Sequence, residues 1–249
     1  RLMSLKDGLK KMSKSDPSDQ SRINLTDSTD SIVKKVQKAK TDSYPFPSSS
    51  ENLGSRPEIK NLINIWNQKI NLVSRRDIEN FEVNHILHSI SISKYFNFKD
   101  NSDIMDLGTG GGLPGIPLSI IFPNVNFYLI DSIKKKIDVV NSIVEDLNLK
   151  NVKTSWSNAK DINSKYDFII SRAVASYPKI KKICFNKIKH ESKHKLKNGF
   201  ILLKGGDIKK EFSETKNYMS YNIFEKINLD YFQTKKIIYV PNPYNHKDS

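Results

Sequence analysis

Asp106-Leu107-Gly108-Thr109-Gly110-Gly111-Gly112-Leu113-Pro114-Gly115 closes one apolar run and opens the next. The run before it, Asp103-Ile-Met-Asp-Leu, has the length and content of a buried strand. The run after it, Ile116 to Phe122, reads as a helix. Glycines at that junction let the backbone turn tightly and come close to a ligand where a side chain would clash. An ordinary strand-to-helix turn is the alternative, but so many glycines after a buried strand are costly without a ligand.

Outward from this loop, strands and helices alternate. Val125 to Ile130 reads as a strand ending at Asp131. Lys134 to Leu147 carries Ile137, Val140, Ile143, Val144 and Leu147 at helical spacing. Val152 to Trp156 and Tyr166 to Ser171 are further strands, and a basic helical region follows them. Phe200-Ile-Leu-Leu-Lys is another strand, and Tyr231 to Val240 supplies at least one more. Such alternation gives an α/β fold with a parallel sheet and right-handed crossovers. Its ligand sits at the carboxyl ends of the strands. Upstream, Asp77 to Tyr95 looks helical, with Phe81, Ile86, Ile90 and Ile92 recurring on one side. Leu62, Ile63, Trp66, Ile70 and Leu72 suggest an earlier helix that breaks into an extended piece.

Two ligand readings of the loop compete. Gly110-x-Gly112-x-x-Gly115 matches the dinucleotide fingerprint, in which a pyrophosphate meets a helix N-terminus. Asp106-x-Gly108-x-Gly110-x-Gly112 is instead an acidic residue followed by spaced glycines, the pattern of S-adenosylmethionine methyltransferases. That cofactor has no phosphate but a positive methionyl amino group, which suits Asp106. Asp131, 25 positions on, can accept both ribose hydroxyls under either reading. Either it or Ser132 can instead cap the helix that follows.

The 249 residues correspond to about one and a half domains. With 37% hydrophobic and 27% charged residues, most of the chain is expected to be globular. No stretch approaches the ~18 apolar residues of a membrane helix. The N-terminal Arg1-Leu-Met-Ser-Leu-Lys-Asp-Gly is not a signal peptide, and a start at Arg rather than Met suggests a fragment. Cys184 stands alone, which excludes an intrachain disulfide and a cysteine-based zinc site and fits a cytosolic, reducing compartment. The net charge of +14 favours a polyanionic partner, nucleic acid first, although an AT-rich genome inflates lysine without selecting for binding. Residues 179–197 carry eight lysines against one glutamate, Glu191. That run reads as a solvated helix face or as a track for a phosphate backbone.

Residues 1–60 have a different texture, rich in Ser, Asp, Lys and Thr. One helix is expected from about Asp27 to Lys40, capped by Asp30 or Ser31, and a loop from Ser43 to Gly54. The segment is too poor in apolar residues to build a core of its own.

Asn67-Gln-Lys-Ile-Asn-Leu-Val-Ser-Arg-Arg-Asp-Ile-Glu, His85-Ile-Leu-His-Ser, the loop with its extension Gly115-Ile-Pro-Leu, Asp131-Ser-Ile-Lys-Lys-Lys, Ser171-Arg-Ala-Val-Ala and Leu203-Lys-Gly-Gly together resemble the RsmG (GidB) family. Its members are bacterial methyltransferases of guanine N7 in small-subunit (16S) ribosomal RNA. The resemblance runs from about Trp66 to Val240, some seven tenths of the chain. It implies a class I, Rossmann-like methyltransferase fold with a seven-stranded sheet whose last strand is antiparallel. It implies S-adenosyl-L-methionine as cofactor and 16S rRNA or the small ribosomal subunit as partner, with no membrane and no metal. The family's cofactor contacts fall on Gly108, Leu113, Ala159, Lys160 and Arg172, beside Asp106, Gly110 and Asp131 from the loop and ribose readings. Lys160 departs from the family, many members of which have an acidic residue there. A backbone contact tolerates that exchange, and a side-chain contact does not.

Guanine N7 has a free lone pair at neutral pH, so no general base is nominated. Catalysis then rests on placing N7 in line with the methyl group and on a site that tolerates charge moving onto the base. Arg172 is expected to position cofactor or substrate. His85 and His88, at i and i+3, are read as a polar pair on a helix or as RNA contacts. His190 and His194 have the i, i+4 spacing of a metal pair but no third ligand, so no metal site is expected.

The head of the chain points elsewhere. Lys11-Met-Ser-Lys-Ser15, with Arg1 to Gly8, Ser18 to Asp27, Lys38-Ala-Lys-Thr-Asp and Gly54-Ser-Arg-Pro-Glu-Ile-Lys-Asn-Leu, resembles bacterial tryptophanyl-tRNA synthetase. In that family this loop's lysines contact ATP phosphates. The family's His-x-Gly-His-type motif is absent, so a working synthetase is not expected. The expected organisation is a synthetase-like fragment over 1–65, packed poorly, joined to a methyltransferase domain over 66–249. A nucleic-acid-binding fragment without turnover and a nicotinamide-dependent oxidoreductase are the remaining alternatives, the latter opposed by Asp106.

Overall fold

The structure, a computed structural model, describes residues 80–242. Its seven strands are β1 (Asp103–Leu107), β2 (Asn126–Asp131), β3 (Val152–Trp156), β4 (Phe168–Arg172), β5 (Gly199–Gly205), β6 (Met219–Asn222) and β7 (Lys235–Pro241). They form one sheet in the order β3-β2-β1-β4-β5-β7-β6. The first five strands pair in parallel, and β7 lies antiparallel between β5 and β6. β1 sits at the centre because it is apolar on both faces. Ile104, Met105 and Leu107 are buried, and so are Phe168, Ile169 and Ile170 beside them.

Alternation along the strands divides the core in two. Ile104, Phe127, Leu129, Phe168, Ile170, Ile201 and Leu203 face one cluster, with Ile86, Leu87, Ile90, Ile116 and Leu118. Met105, Leu107, Ile130, Ile169, Phe200 and Leu202 face the other, with Tyr177, Ile180 and Cys184. The covering helices are short. Ahead of β1 comes a segment of mixed pitch: a π-wound stretch, Glu82–Leu87, one α turn, α1 (His88–Ile90), and a 3-10 turn, Ser91–Lys94. Then follow α2 (Gly115–Ile121), α3 (Lys134–Asp146) and α4 (Tyr177–Cys184). α3 buries Ile137, Val140 and Ile143 and turns its lysines outward, as its spacing predicts.

The structure departs from the sequence reading in three places. The helix expected over Asp77 to Tyr95 is described from residue 80 and changes pitch twice. The basic run 179–197 is helical only to Cys184, followed by the 3-10 turn Phe185–Lys187. Nor is it uniformly solvated: Lys187 is buried, and Lys189 bridges Asp103 at 2.6 Å and Asp167 at 3.0 Å. Tyr231 to Val240 begins as a 3-10 turn, Asp230–Phe232, and becomes a strand only at Lys235. The seven strands implied by the resemblance are all present, but β6 cannot be placed from its residues, because Met219 and Ser220 on this edge strand are exposed and leave no alternation to read. The helix expected at Asp27 to Lys40, the loop at Ser43 to Gly54, the piece around Trp66, the synthetase-like motif Lys11–Ser15 and the packing of the 1–65 appendage lie outside the described residues.

Candidate active site

β1 ends where the strand order reverses, since β2 lies on one side of it and β4 on the other. The loops leaving β1, β2 and β4 therefore diverge and open a crevice at their carboxyl ends. A cavity of about 730 Å³ occupies it, within the size range of small-molecule sites. The glycine loop forms one wall. Gly108 and Gly110 have φ of +65° and +58°, values that L side chains rarely adopt. A Cβ on Gly108 would stand 2.6 Å from Val174 Cγ2, whereas one on Gly110 would meet nothing within 4 Å.

Asp106 shapes this loop from beneath. Its side chain is fully buried, and its Oδ2 accepts from the Thr109 hydroxyl at 2.6 Å and the Gly115 N–H at 2.9 Å. Both ends of the loop are thus tied to one oxygen. Oδ1 is buried with no hydrogen-bond partner among the described residues. Burial pushes the carboxyl up to about 6; the bonds from Thr109 and Gly115 and the charge of Arg172 pull against that, and Asp131 adds to it. Asp131 ends β2 on the opposite wall. Its Oδ2 accepts from Gly110 N–H at 3.0 Å, and its Oδ1 accepts from Ile133 N–H at 2.9 Å just ahead of α3. The helix N-cap expected from Asp131 or Ser132 is not formed: Ile133 is the N-cap residue of α3 without a side-chain cap bond, and Asp131 instead closes a turn ahead of it and couples the β2 end to the glycine loop.

Arg172 ends β4 and is largely buried in the cavity wall. Its Nη1 donates to the Asn84 carbonyl at 3.3 Å and lies 2.9 Å from His85 Nδ1. Guanidinium nitrogens only donate, so Nδ1 of His85 is the acceptor and the ring proton sits on Nε2. Burial holds Arg172 below its ordinary value, opposed by Tyr231 and Asp106. Tyr231 Oη donates to the same Asn84 carbonyl at 3.1 Å. His88 is buried edge-on to Tyr231 and Phe232, with ring centroids 5.8 and 5.9 Å away. Burial first, then the charges of Arg172, Lys235 and His85, lower it to about 3, against the Asn84 carbonyl. It is a neutral ring at physiological pH. After Arg172 the chain enters Ala173 at φ +54°, a costly conformation for a non-glycine residue, and this turns Val174 over Gly108.

Of the eight residues singled out in the sequence, Gly108, Gly110, Leu113, Asp131, Ala159 and Arg172 line the cavity. Asp106 does not; it lies under the loop. Lys160 does not either: it is exposed, its N–H bonds Asn158 Oδ1 at 3.1 Å, and its side chain borders a neighbouring groove. Sequence reasoning missed Ile133, Val174, Tyr231 and Lys204 in the wall. Ile133 and Val174 carry a legible sign, since each is an apolar residue two positions after a polar strand end, and each is over 40% exposed. His190 and His194, spaced like a metal pair but not expected to bind one, have other surroundings. Nε2 of His194 contacts Lys99 N–H and the Ser102 hydroxyl at 3.1 and 3.0 Å, and His190 is exposed. Among the described residues no cluster of His, Cys, Asp and Glu could hold a metal, and no helix is long and apolar enough to cross a membrane.

The family profile described as rRNA small subunit methyltransferase G matches residues 58–239. The chain belongs to the rRNA small subunit methyltransferase G family. Two relatives named ribosomal RNA small subunit methyltransferase G place this family's features along most of the chain. That of Flavobacterium johnsoniae is 46% identical over 180 residues, 72% of this chain and 86% of the relative. That of Porphyromonas gingivalis is 43% identical over 199 residues, 79% and 90%. The crystal structure of a SAM-dependent O-methyltransferase from Thermotoga maritima superposes with a TM-score of 0.51 at 14% identity, covering 75% of this chain and 73% of that one, which shows the shared fold. A second profile, tRNA synthetases class I (W and Y), matches residues 1–95 and overlaps the methyltransferase G profile at 58–95.

Proposed function

We propose that this chain transfers a methyl group from S-adenosylmethionine to N7 of a guanine in small-subunit (16S) ribosomal RNA, in the cytoplasm. The observation that carries the reading is the cavity at the ends of β1, β2 and β4, with a backbone-lined glycine wall, a carboxylate opposite it and a part-buried arginine at the back. Family membership and the names of the relatives support the substrate.

The residues present fit the cofactor. Gly108 and Gly110 bring the main chain to the cavity without side chains in the way. Asp131, beside Ile133, offers remaining carboxylate lone pairs to ribose hydroxyls next to an exposed apolar side chain. Ala159 adds a small floor. Bound there, S-adenosylmethionine supplies an electrophilic methyl group on a sulfonium. The protein needs no base, because guanine N7 presents its lone pair unprotonated. Its task is orientation. Arg172, fixed by His85 and the Asn84 carbonyl, directs a cation at one edge of the cavity, and the neutral ring of His88 with Tyr231 walls it off. Asp106 acts through the loop it holds.

Titration of the full chain with S-adenosylhomocysteine tests the reading, with Gly108→Arg as control. Saturable binding lost in the variant, then methyl transfer to small-subunit RNA at a guanine N7, is the expected result. A folded chain that does not bind S-adenosylhomocysteine overturns it.

The tRNA synthetase profile over residues 1–95 favours a second reading for the head of the chain. We read residues 1–65 as a tryptophanyl-tRNA synthetase-like fragment and 66–249 as the methyltransferase unit. Residues 1–65 contain no His-x-Gly-His-type motif, so these residues by themselves are not expected to catalyse tryptophan-dependent exchange of pyrophosphate into ATP.

A further inference from the structure

Lys160 was expected in the cofactor site, and its actual surroundings are more informative. Its side chain borders a groove of about 420 Å³ with Lys179 and Lys182 of α4, Lys187, Ile183 and Phe185. Lys160, Lys179 and Lys182 are exposed, and among the described residues none has a carboxylate within ion-pair range. Lys179 and Lys182, three residues apart, share one face of α4. Lys160 comes from the 3-10 turn Ala159–Asp161 across the groove. Lys187, buried beneath, donates its Nζ to the Ile162 carbonyl and ties the two walls together. Uncompensated cations cost self-repulsion, so three on a built groove call for an anionic occupant.

Position identifies that occupant. Ile183 lines both this groove and the cofactor cavity, and Ala159 in the cavity precedes Lys160 in the groove. A strand with its base in the cavity carries its neighbouring phosphates out along the groove. We infer that Lys160, Lys179 and Lys182 hold the ribose-phosphate backbone of the RNA strand flanking the target base. This rests on the RNA-methyltransferase reading above. It also gives the exchange of an acidic residue for Lys160 a consequence in this chain: the groove gains a third phosphate contact beside the cavity.

The test sets two triple variants of the full chain side by side. One is Lys160→Ala/Lys179→Ala/Lys182→Ala. The other is Lys99→Ala/Lys150→Ala/Lys195→Ala, exposed lysines that precede β1, β3 and β5 at the opposite, amino-terminal end of the sheet. Both lose three charges. Binding to a fluorescent single-stranded RNA loop from the small subunit is measured across a salt series, and S-adenosylhomocysteine binding is measured separately. The groove variant is expected to bind RNA about tenfold or more weakly at ~0.1 M salt, with the slope of log K against log salt flattened by about 2, as loss of three single-strand phosphate contacts predicts. The amino-end variant is expected to stay within about twofold of the parent. Equal losses in both, or none in the groove variant, overturn the inference and leave only net charge acting on RNA. If the parent chain binds S-adenosylhomocysteine and methylates RNA in that case, the enzymatic reading survives and only the groove fails. A parent that binds RNA through the groove but not S-adenosylhomocysteine keeps the groove and removes the enzymatic reading.

Discussion

Arg172 Nη1 lies 2.9 Å from His85 Nδ1, across 87 positions of sequence. The contact joins the end of a central strand to the helical segment ahead of the sheet, and it makes one wall of the cavity rigid. It also specifies a proton, since arginine offers no lone pair and the imidazole must accept through Nδ1. Nitrogen-15 NMR of the parent chain should therefore show His85 with a pyridine-like Nδ1 and the proton on Nε2. In Arg172→Met that preference should collapse to a tautomer mixture, and methyl transfer should fall by about a hundredfold or more. A protonated Nδ1 in the parent would contradict the assigned contact.

Gly108 and Gly110 separate two costs that glycine loops usually confound. Both have positive φ, but only Gly108 has a neighbour, Val174, where a Cβ would go. Gly110→Ala should cost about 1 kcal/mol, the price of the left-handed backbone alone. Gly108→Ala should cost more and weaken S-adenosylhomocysteine binding further. Adding Val174→Ala should return Gly108→Ala to the Gly110→Ala level, since only the clash is then relieved. Urea unfolding of the four chains reads this directly, and an absence of rescue would remove Val174 from the account.

Asp106 is predicted to be replaceable in shape but not in presence. Asp106→Asn keeps an oxygen for the Thr109 hydroxyl and the Gly115 N–H, so its unfolding free energy should stay within about 1 kcal/mol of the parent. Asp106→Ala leaves both donors buried without an acceptor and should cost about 3 kcal/mol. Equal destabilisation by Asn and Ala would mean that the charge, rather than the staple, matters.

Two buried groups make opposite pH demands. His88 falls from 6.5 to about 3 on folding, so the stability it permits is complete above pH 6.5 and lost as pH drops toward 3. Asp106 rises from 3.8 to about 6, so the folded chain keeps a proton that the unfolded chain releases, and stability is lost as pH climbs from 3.8 to 6. Between about pH 4 and 6 the two oppose each other, and the parent should show a shallow profile. His88→Leu removes one side. Relative to the parent, this variant should gain about 2 kcal/mol as pH falls from 6.5 to 5. Parallel pH profiles for the two chains would show that His88 does not stay neutral.

The loop from Asp106 to Gly115 was legible because its chemistry is local. Spaced glycines after an apolar strand can be read letter by letter, and so can an aspartate at the next strand end. Lys160 illustrates the opposite case. Its neighbour Ala159 faces the cavity, and a turn of the backbone sends the lysine into the adjoining groove, which no spacing rule foretells. The same holds for Asp106, whose acidity suggested a cation and whose oxygen instead anchors its own loop.

Sequence alone determined the alternation of strands and helices, the two-faced burial of β1 and β4, and the glycine-lined ligand position at their ends. All of these follow from periodicity and from backbone freedom within a few residues. Tertiary structure decided what meets across long separations: Arg172 with His85, Val174 with Gly108, Asp131 with Gly110, Lys189 with Asp103 and Asp167, and the three lysines around the groove. It also decided the edge strand β6, whose pairing with β7 is stabilised by partner backbone rather than by a pattern of its own. The physical reason is the same in each case. Local propensity acts through neighbours in the chain, whereas a clash, a shared proton or an uncompensated charge exists only once distant segments have been brought together.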